Sequence, residues 1–148
     1  MFKTLKRNYV ATDFSVTNWD EINLLTTVAD NCAAELALDN QVLRSSFLSS
    51  EVNGACIVDQ HIAIARASYP ELDQPKFRLF PLGSSVAWGD DEIAVDYILA
   101  VILPNGHDAT ELDRITAAVQ QQFAEKTVTV SETRKLEKMM SKLIKTLA

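Results

Sequence analysis

Glycine is scarce in this chain of 148 residues, which has only four, at positions 54, 83, 89 and 106. No two of them have the spacing of a Walker loop or of G-x-G-x-x-G, so folds that need a glycine-rich phosphate cradle are excluded. The G-x-S-x-G nucleophile elbow is also missing. Cys32 and Cys56 are too few for a disulfide framework, which predicts a reducing, cytoplasmic compartment.

Long hydrophobic runs are missing as well. The longest one, residues 97–103, is far shorter than the roughly 20 residues of a membrane-spanning helix, so no membrane insertion is predicted. The first ten residues, MFKTLKRNYV, lack the apolar region of a signal peptide. Length and an apolar fraction of 47% predict one globular domain, residues 1–148.

The charge is acidic overall and unevenly distributed. The chain has a net charge of −6, but residues 134–148 carry five basic side chains and one acidic one. The rest of the chain therefore carries −10, which argues against a nucleic-acid partner. The basic C-terminal segment is interpreted as a solvated helix face rather than as a contact patch.

The first third of the chain is predicted to be mostly helical. Residues 10–16 suit a short first strand. Asn18 and Glu21 have the spacing of a capping box, which predicts a helix reaching residue 38. A second helix is expected to end at Asn53 and Gly54. The buried stripe of the first helix is predicted to comprise Ile22, Leu25, Val28, Cys32 and Leu36.

The pattern predicts strands in the middle of the chain and helices at its end. Residues 55–58 are short and apolar, and three strands are predicted after the two helices, at residues 62–66, 76–80 and 93–103, the first of these three interior to the sheet. Helices follow from Asp108 and Ser131, and residues 127–130 are either a short strand or an extended loop. This order predicts an α/β protein, a three-layer α/β/α fold with a mixed sheet of about four strands.

Few residues suggest catalysis. His61 and His107 are the two histidines and the candidates for proton or phosphoryl transfer. They do not form a ligand set with the cysteines, so neither a metal site nor a cofactor is predicted. Asp96 interrupts an apolar strand, which predicts a buried carboxylate bonded to a neighbouring loop or placed at a site.

Four segments resemble the fructose/mannitol-type enzyme IIA domains of the bacterial phosphotransferase system. Residues 61–66, HIAIAR, resemble the family's Gly-Ile-Ala-Ile-Pro-His signature, and residues 47–51, FLSSE, resemble its Leu-Leu-x-Arg-Glu segment. Residues 86–89, VAWG, and 93–104, IAVDYILAVILP, resemble its V-x-F-G … P-V-D-L-V-F-L-L-A-A-P run. The resemblance covers about residues 10–147, and His107 matches a second family histidine.

The resemblance implies a phosphorelay fold with its central residue replaced. In the family, the histidine that ends the signature accepts a phosphoryl group from the carrier HPr and passes it to a sugar transporter. Here that position is Arg66, and a guanidinium is not a nucleophile. His61, Ala65 and Ser50 stand where the family has glycine, proline and arginine.

Three functions follow as alternatives. The leading hypothesis is a regulatory or partner-binding module without phosphotransfer, whose protein partner is a phosphotransferase-system component or a regulator. Its candidate binding residues are Arg66, His107, Glu51 and Asp96. The second is an active sugar or nitrogen-regulatory phosphocarrier that uses His107 or His61. The third is an anion- or protein-binding module on the same fold. Arg66 itself is expected either to be a fixed cation for an anion or an acidic partner, or to be paired internally with Glu51 or Asp96.

Overall fold

In the part of the chain that the structure describes, four helices and a four-stranded sheet form the fold. The computed structural model describes residues 9–12, 14–16, 18–59, 61–104, 109–124 and 133–147. The elements in chain order are α1 (Glu21–Leu36), α2 (Asn40–Val52), β1 (Cys56–Val58), β2 (Ile62–Ser68), β3 (Lys76–Trp88), β4 (Ile93–Leu103), α3 (Ala109–Ala124) and α4 (Thr133–Leu147). Asp108, Ser131 and the ambiguous residues 127–130 lie outside the described residues.

The sheet is mixed, with strand order β1-β2-β4-β3. β2 and β4 run parallel, and the other neighbouring pairs are antiparallel. One face of the sheet packs against α1 and α2, and the other against α3 and α4. The predicted three-layer α/β/α fold is therefore confirmed, with β2 in the interior of the sheet.

Small and large side chains alternate along β2 and separate its two faces. Ala63, Ala65 and Ala67 belong to the core on the α1–α2 side. Ile62 and Ile64 belong to the core on the α3–α4 side. Short alanine side chains let a helix approach the sheet closely, and this brings the end of α2 beside the last residues of β2.

The start of α1 differs from the predicted capping box. Asp20, not Asn18, is the N-cap, and its carboxylate accepts a hydrogen bond from the backbone N–H of Asn23. Ile22 was predicted on the buried stripe, but it is 67% exposed. The carboxylate of Glu21 accepts a hydrogen bond from the backbone N–H of Gly89 instead. Local spacing could not show this contact, because it joins residues far apart in the chain.

The predicted strand at residues 10–16 is wrong. In the described part of this segment only Val10 pairs with the sheet, through one parallel bridge to Leu79. Glu137 of α4 holds the segment in place, because its carboxylate accepts hydrogen bonds from the backbone N–H groups of Tyr9 and Val10. The one acidic residue of the basic helix is thus used inside the fold.

Asp96 lies at a bulge, which corrects its predicted burial. The backbone N–H groups of Asp96 and Tyr97 both donate to the carbonyl of His61, and the β3–β4 register shifts at this point, where residues 82–85 of β3 lie opposite Asp96. Its side chain is exposed. A bulge turns one residue of an apolar strand to solvent, which explains a carboxylate there without a buried partner.

Candidate functional site

Arg66 lies near the carboxyl end of β2 and reaches the end of α2. Its Nη2 atom donates hydrogen bonds to the backbone carbonyls of Ser50, at 3.1 Å, and Gly54. The last carbonyls of a helix have no partner within the helix and carry its partial negative charge. The guanidinium therefore caps α2 from outside the helix, and its side chain is only 17% exposed.

Glu51 lies beside Arg66 in the last turn of α2. Its Oε1 atom is 4.0 Å from Nη2 of Arg66, the separation of an ion pair without a hydrogen bond. The Glu51 side chain is 8% exposed, and both carboxyl oxygens are buried without a hydrogen-bond partner among the described residues. The predicted Arg66–Glu51 pairing is thus present as a loose ion pair between two largely buried side chains.

Glu21 and Trp88 complete the cluster. Trp88 is fully buried and adjoins Glu51, and its indole Nε1 makes no hydrogen bond within the described structure. Glu21, at the start of α1, interacts with the Glu51 carboxyl while it accepts the N–H of Gly89 at 3.0 Å. Burial raises the pKa of Glu51 to about 7, together with the neighbouring Glu21 carboxyl and its negative charge, although Arg66 and Trp88 act in the opposite direction.

The fold brings together segments that are distant in the sequence. Glu51, Arg66, Trp88 and Gly89 come from three of the segments that carry the enzyme IIA resemblance. Glu21 was not predicted as a site residue, since only the approach of the β3–β4 turn to α1 places it there. We call Glu21, Glu51, Arg66 and Trp88 the carboxyl–arginine cluster.

The other predicted residues do not join this cluster where they are described. His61 precedes β2 at the end opposite Arg66, with Nε2 3.4 Å from Oδ2 of Asp59 and its ring edge-on to Tyr97. Asp96 adjoins His61, and it lies five positions along β4 from Val101, the residue paired with Arg66. At about 3.3 Å per residue this is roughly 16–17 Å. His107 lies outside the described residues.

The cluster provides charge and proton binding. Arg66 is a permanent cation, and Glu51 binds or releases a proton near neutral pH. Burial raises the pKa of the Cys32 thiol to about 12, so that thiol is not a nucleophile. Within the described ranges no group of three potential ligands could hold a metal ion, and no helix is long and apolar enough to cross a membrane.

The fold resembles solved phosphotransferase-system IIA structures. Nitrogen regulatory protein IIA-Ntr from Neisseria meningitidis superposes with a TM-score of 0.70 at 15% identity, covering 88% of this chain and 92% of that one. A protein assigned as a PTS IIA domain from Streptococcus pyogenes M1 GAS gives a TM-score of 0.64 at 13% identity, with coverages of 91% and 89%. Comparison by sequence found no matching family model and no matching curated protein. The chain therefore has a PTS IIA-like fold, with very little sequence in common with these neighbours.

Proposed function

We propose that this chain is a fructose/mannitol-type IIA-like protein that has lost phosphotransfer at position 66 and acts by binding a protein partner. The observation that best supports this proposal is the placement of Arg66. By the sequence resemblance it stands at the position of the family's phosphoryl-accepting histidine, and its guanidinium is bound to the end of α2. An arginine held in this way stabilises the fold at the place where the family carries out its chemistry.

Exposed apolar side chains near the cluster favour a protein partner. Val52 is 86% exposed and directly follows Glu51, and Ile22 is 67% exposed and directly follows Glu21. Trp19, just before α1, is also exposed, and its indole donates to the carbonyl of Ser84. We call Trp19, Ile22 and Val52 the apolar rim. Aromatic and aliphatic side chains of this kind supply the buried contacts of protein interfaces.

An anion-binding module is less well supported by the geometry. Nη2 of Arg66 already donates to two carbonyls, and Glu51 lies 4.0 Å away. An incoming phosphate would have to compete with these oxygens and would meet two carboxyl groups. The cluster is therefore better suited to positioning a docking surface than to holding a free anion.

We expect no phosphoryl transfer to the wild-type protein. Incubation with phosphoenolpyruvate, enzyme I and HPr, followed by intact-mass measurement, should show no gain of a phosphoryl group, because Arg66 offers no nucleophile. The double variant Ser50→Arg/Arg66→His restores two family residues and should gain one phosphoryl group. A stoichiometric gain in the wild type, lost in His107→Ala or His61→Ala, would establish the phosphocarrier alternative.

Binding to HPr tests the docking surface separately from the chemistry. Val52→Gln is expected to weaken HPr binding by about 5–10-fold, since a central apolar contact contributes on the order of 1 kcal/mol. Val42→Gln is the matched control, because Val42 is an exposed valine at the other end of α2 and should leave binding unchanged. Calorimetric titration of both variants measures the difference. Equal affinities for the two, or no HPr binding by the wild type, would exclude HPr as the partner at this face.

A further inference from the structure

Four parts of the chain meet at the carboxyl–arginine cluster. Glu21 ties the start of α1 to the β3–β4 turn through the N–H of Gly89, at 3.0 Å. Arg66 ties β2 to the end of α2 through the carbonyls of Ser50 and Gly54. Glu51 stands between these two connections, in contact with both Glu21 and Arg66. A change at Glu51 therefore acts on both connections at once.

The charges of the cluster balance only when one carboxyl keeps a proton. Among the residues that the structure describes, the charged groups that face Glu51 are the Glu21 carboxyl from α1 and the Arg66 guanidinium from β2, while the β3–β4 hairpin contributes the neutral Trp88 indole. Two carboxylates against one guanidinium leave a net charge of −1 in a buried place. Both Glu51 oxygens also lack hydrogen bonds in the described structure that would stabilise a charge.

We propose that Glu51 is a proton-operated latch: a proton held by Glu51 against Glu21 keeps α1, α2 and the β3–β4 turn together, and its loss loosens this junction. Deprotonation places two carboxylates against each other and draws Arg66 away from the α2 carbonyls. Ile22 and Val52 directly follow Glu21 and Glu51 in their helices, so a shift of these two helix ends would move the apolar rim. The effect on the apolar rim rests on the proposed function, whereas the protonation of Glu51 and the loosening of the junction involve only this chain.

The acidity of Glu51 places the change near neutral pH. The pKa of Glu51 is raised from an ordinary value of 4.5 to about 7, chiefly by burial. A carboxyl whose pKa is raised by folding contributes stability that is complete below its ordinary pKa and is lost as the pH rises through the folded value. The junction should accordingly be tight at about pH 5 and looser at about pH 8.

Tryptophan emission reports the state of Glu51. The chain has two tryptophans, so Trp19→Phe leaves Trp88, which adjoins the Glu51 carboxyl, as the only emitter. In this background the emission should titrate with a midpoint near pH 7. Glu51→Gln should abolish the transition, and Glu35→Gln, which removes a half-exposed carboxylate near the other end of α1, should leave it intact. A flat titration, or one that persists in Glu51→Gln, would overturn the proposal.

Hydrogen exchange distinguishes a loosening of the junction from a change in the protonation of Glu51 alone. The Gly89 amide, which donates to Glu21, should lose about tenfold in protection, corrected for intrinsic exchange, between about pH 6 and about pH 8. Glu51→Gln should keep that protection constant. Glu21→Gln removes the opposing carboxyl and should move the emission midpoint down by about one pH unit, which keeps the test decisive if Glu51→Gln folds poorly. Constant protection of Gly89 in the wild type would contradict the latch.

The latch and the docking proposal fail in different ways. The emission and exchange measurements use the chain alone, so they are unaffected by whether HPr binds. A normal transition without HPr binding leaves the latch in place and rejects the partner. HPr binding with a flat titration supports the docking surface and rejects the latch.

Discussion

Arg66→Ala is expected to lower the free energy of unfolding by about 2–4 kcal/mol at neutral pH. The substitution removes the donor that serves the carbonyls of Ser50 and Gly54. It also leaves the buried carboxyl of Glu51 without its cation. The upper end of the range is limited because Glu51 can take up a proton when the charge is no longer compensated. Urea unfolding followed by circular dichroism measures the change.

Arg44 provides the matched control for this substitution. It forms a shorter ion pair with Asp30, at 2.8 Å, but both side chains are more than 40% exposed. Arg44→Ala should therefore cost less than about 1 kcal/mol, since exposed ion pairs contribute little. If the two variants lost equal stability, burial of the carboxyl–arginine cluster would not be the cause.

The Arg66 variant also distinguishes internal pairing from anion binding. Arg66 lowers the pKa of Glu51, so its loss should destabilise the protein more at about pH 8 than at about pH 5, where Glu51 holds a proton in either case. An internal cation predicts no effect of phosphate or sulfate on the melting temperature of either form. A binding cation predicts that these anions stabilise the wild type and not the variant.

Strands β2 and β4 and the first part of β3 were predictable because they carry local signals, whereas β1 was not predicted as a strand. The alternation of isoleucine and alanine in β2 and the apolar length of β4 are visible within a few residues. The bulge at Asp96 was not, because it depends on two N–H groups sharing the carbonyl of His61, a residue 35 positions earlier. The sequence of β4 alone fits equally well a regular strand with a buried carboxylate at position 96.

The site was predictable only in part, for a similar reason. Arg66 and Glu51 were identified through the enzyme IIA resemblance, and they lie 4.0 Å apart. Glu21 carried a strong local signal for a different role, as a member of a capping box with Asn18, and Asp20 took the capping position instead. Glu21 belongs to the cluster because the fold brings Gly89 to it, and no sequence spacing indicates a contact between residues so far apart in the chain.

Gly89→Ala is expected to cost about 2–4 kcal/mol, because two penalties act at one position. Gly89 has a φ of +74°, a left-handed conformation that side chains rarely adopt. An added Cβ would also lie 3.0 Å from the Cβ of Ala55, which is fixed to the backbone just before β1. Relieving that contact would displace the β3–β4 turn and weaken the hydrogen bond from the Gly89 N–H to Glu21.

Gly83→Ala tests whether the position or the residue type matters. Gly83 lies in β3, and an added Cβ there would meet nothing within 4 Å. Its substitution should change stability by less than about 0.5 kcal/mol. Thermal or urea unfolding of both variants should therefore separate them by about 2 kcal/mol or more. The geometry of the carboxyl–arginine cluster depends on close packing of the β3–β4 turn against Ala55. Equal stabilities of Gly89→Ala and Gly83→Ala would contradict this packing.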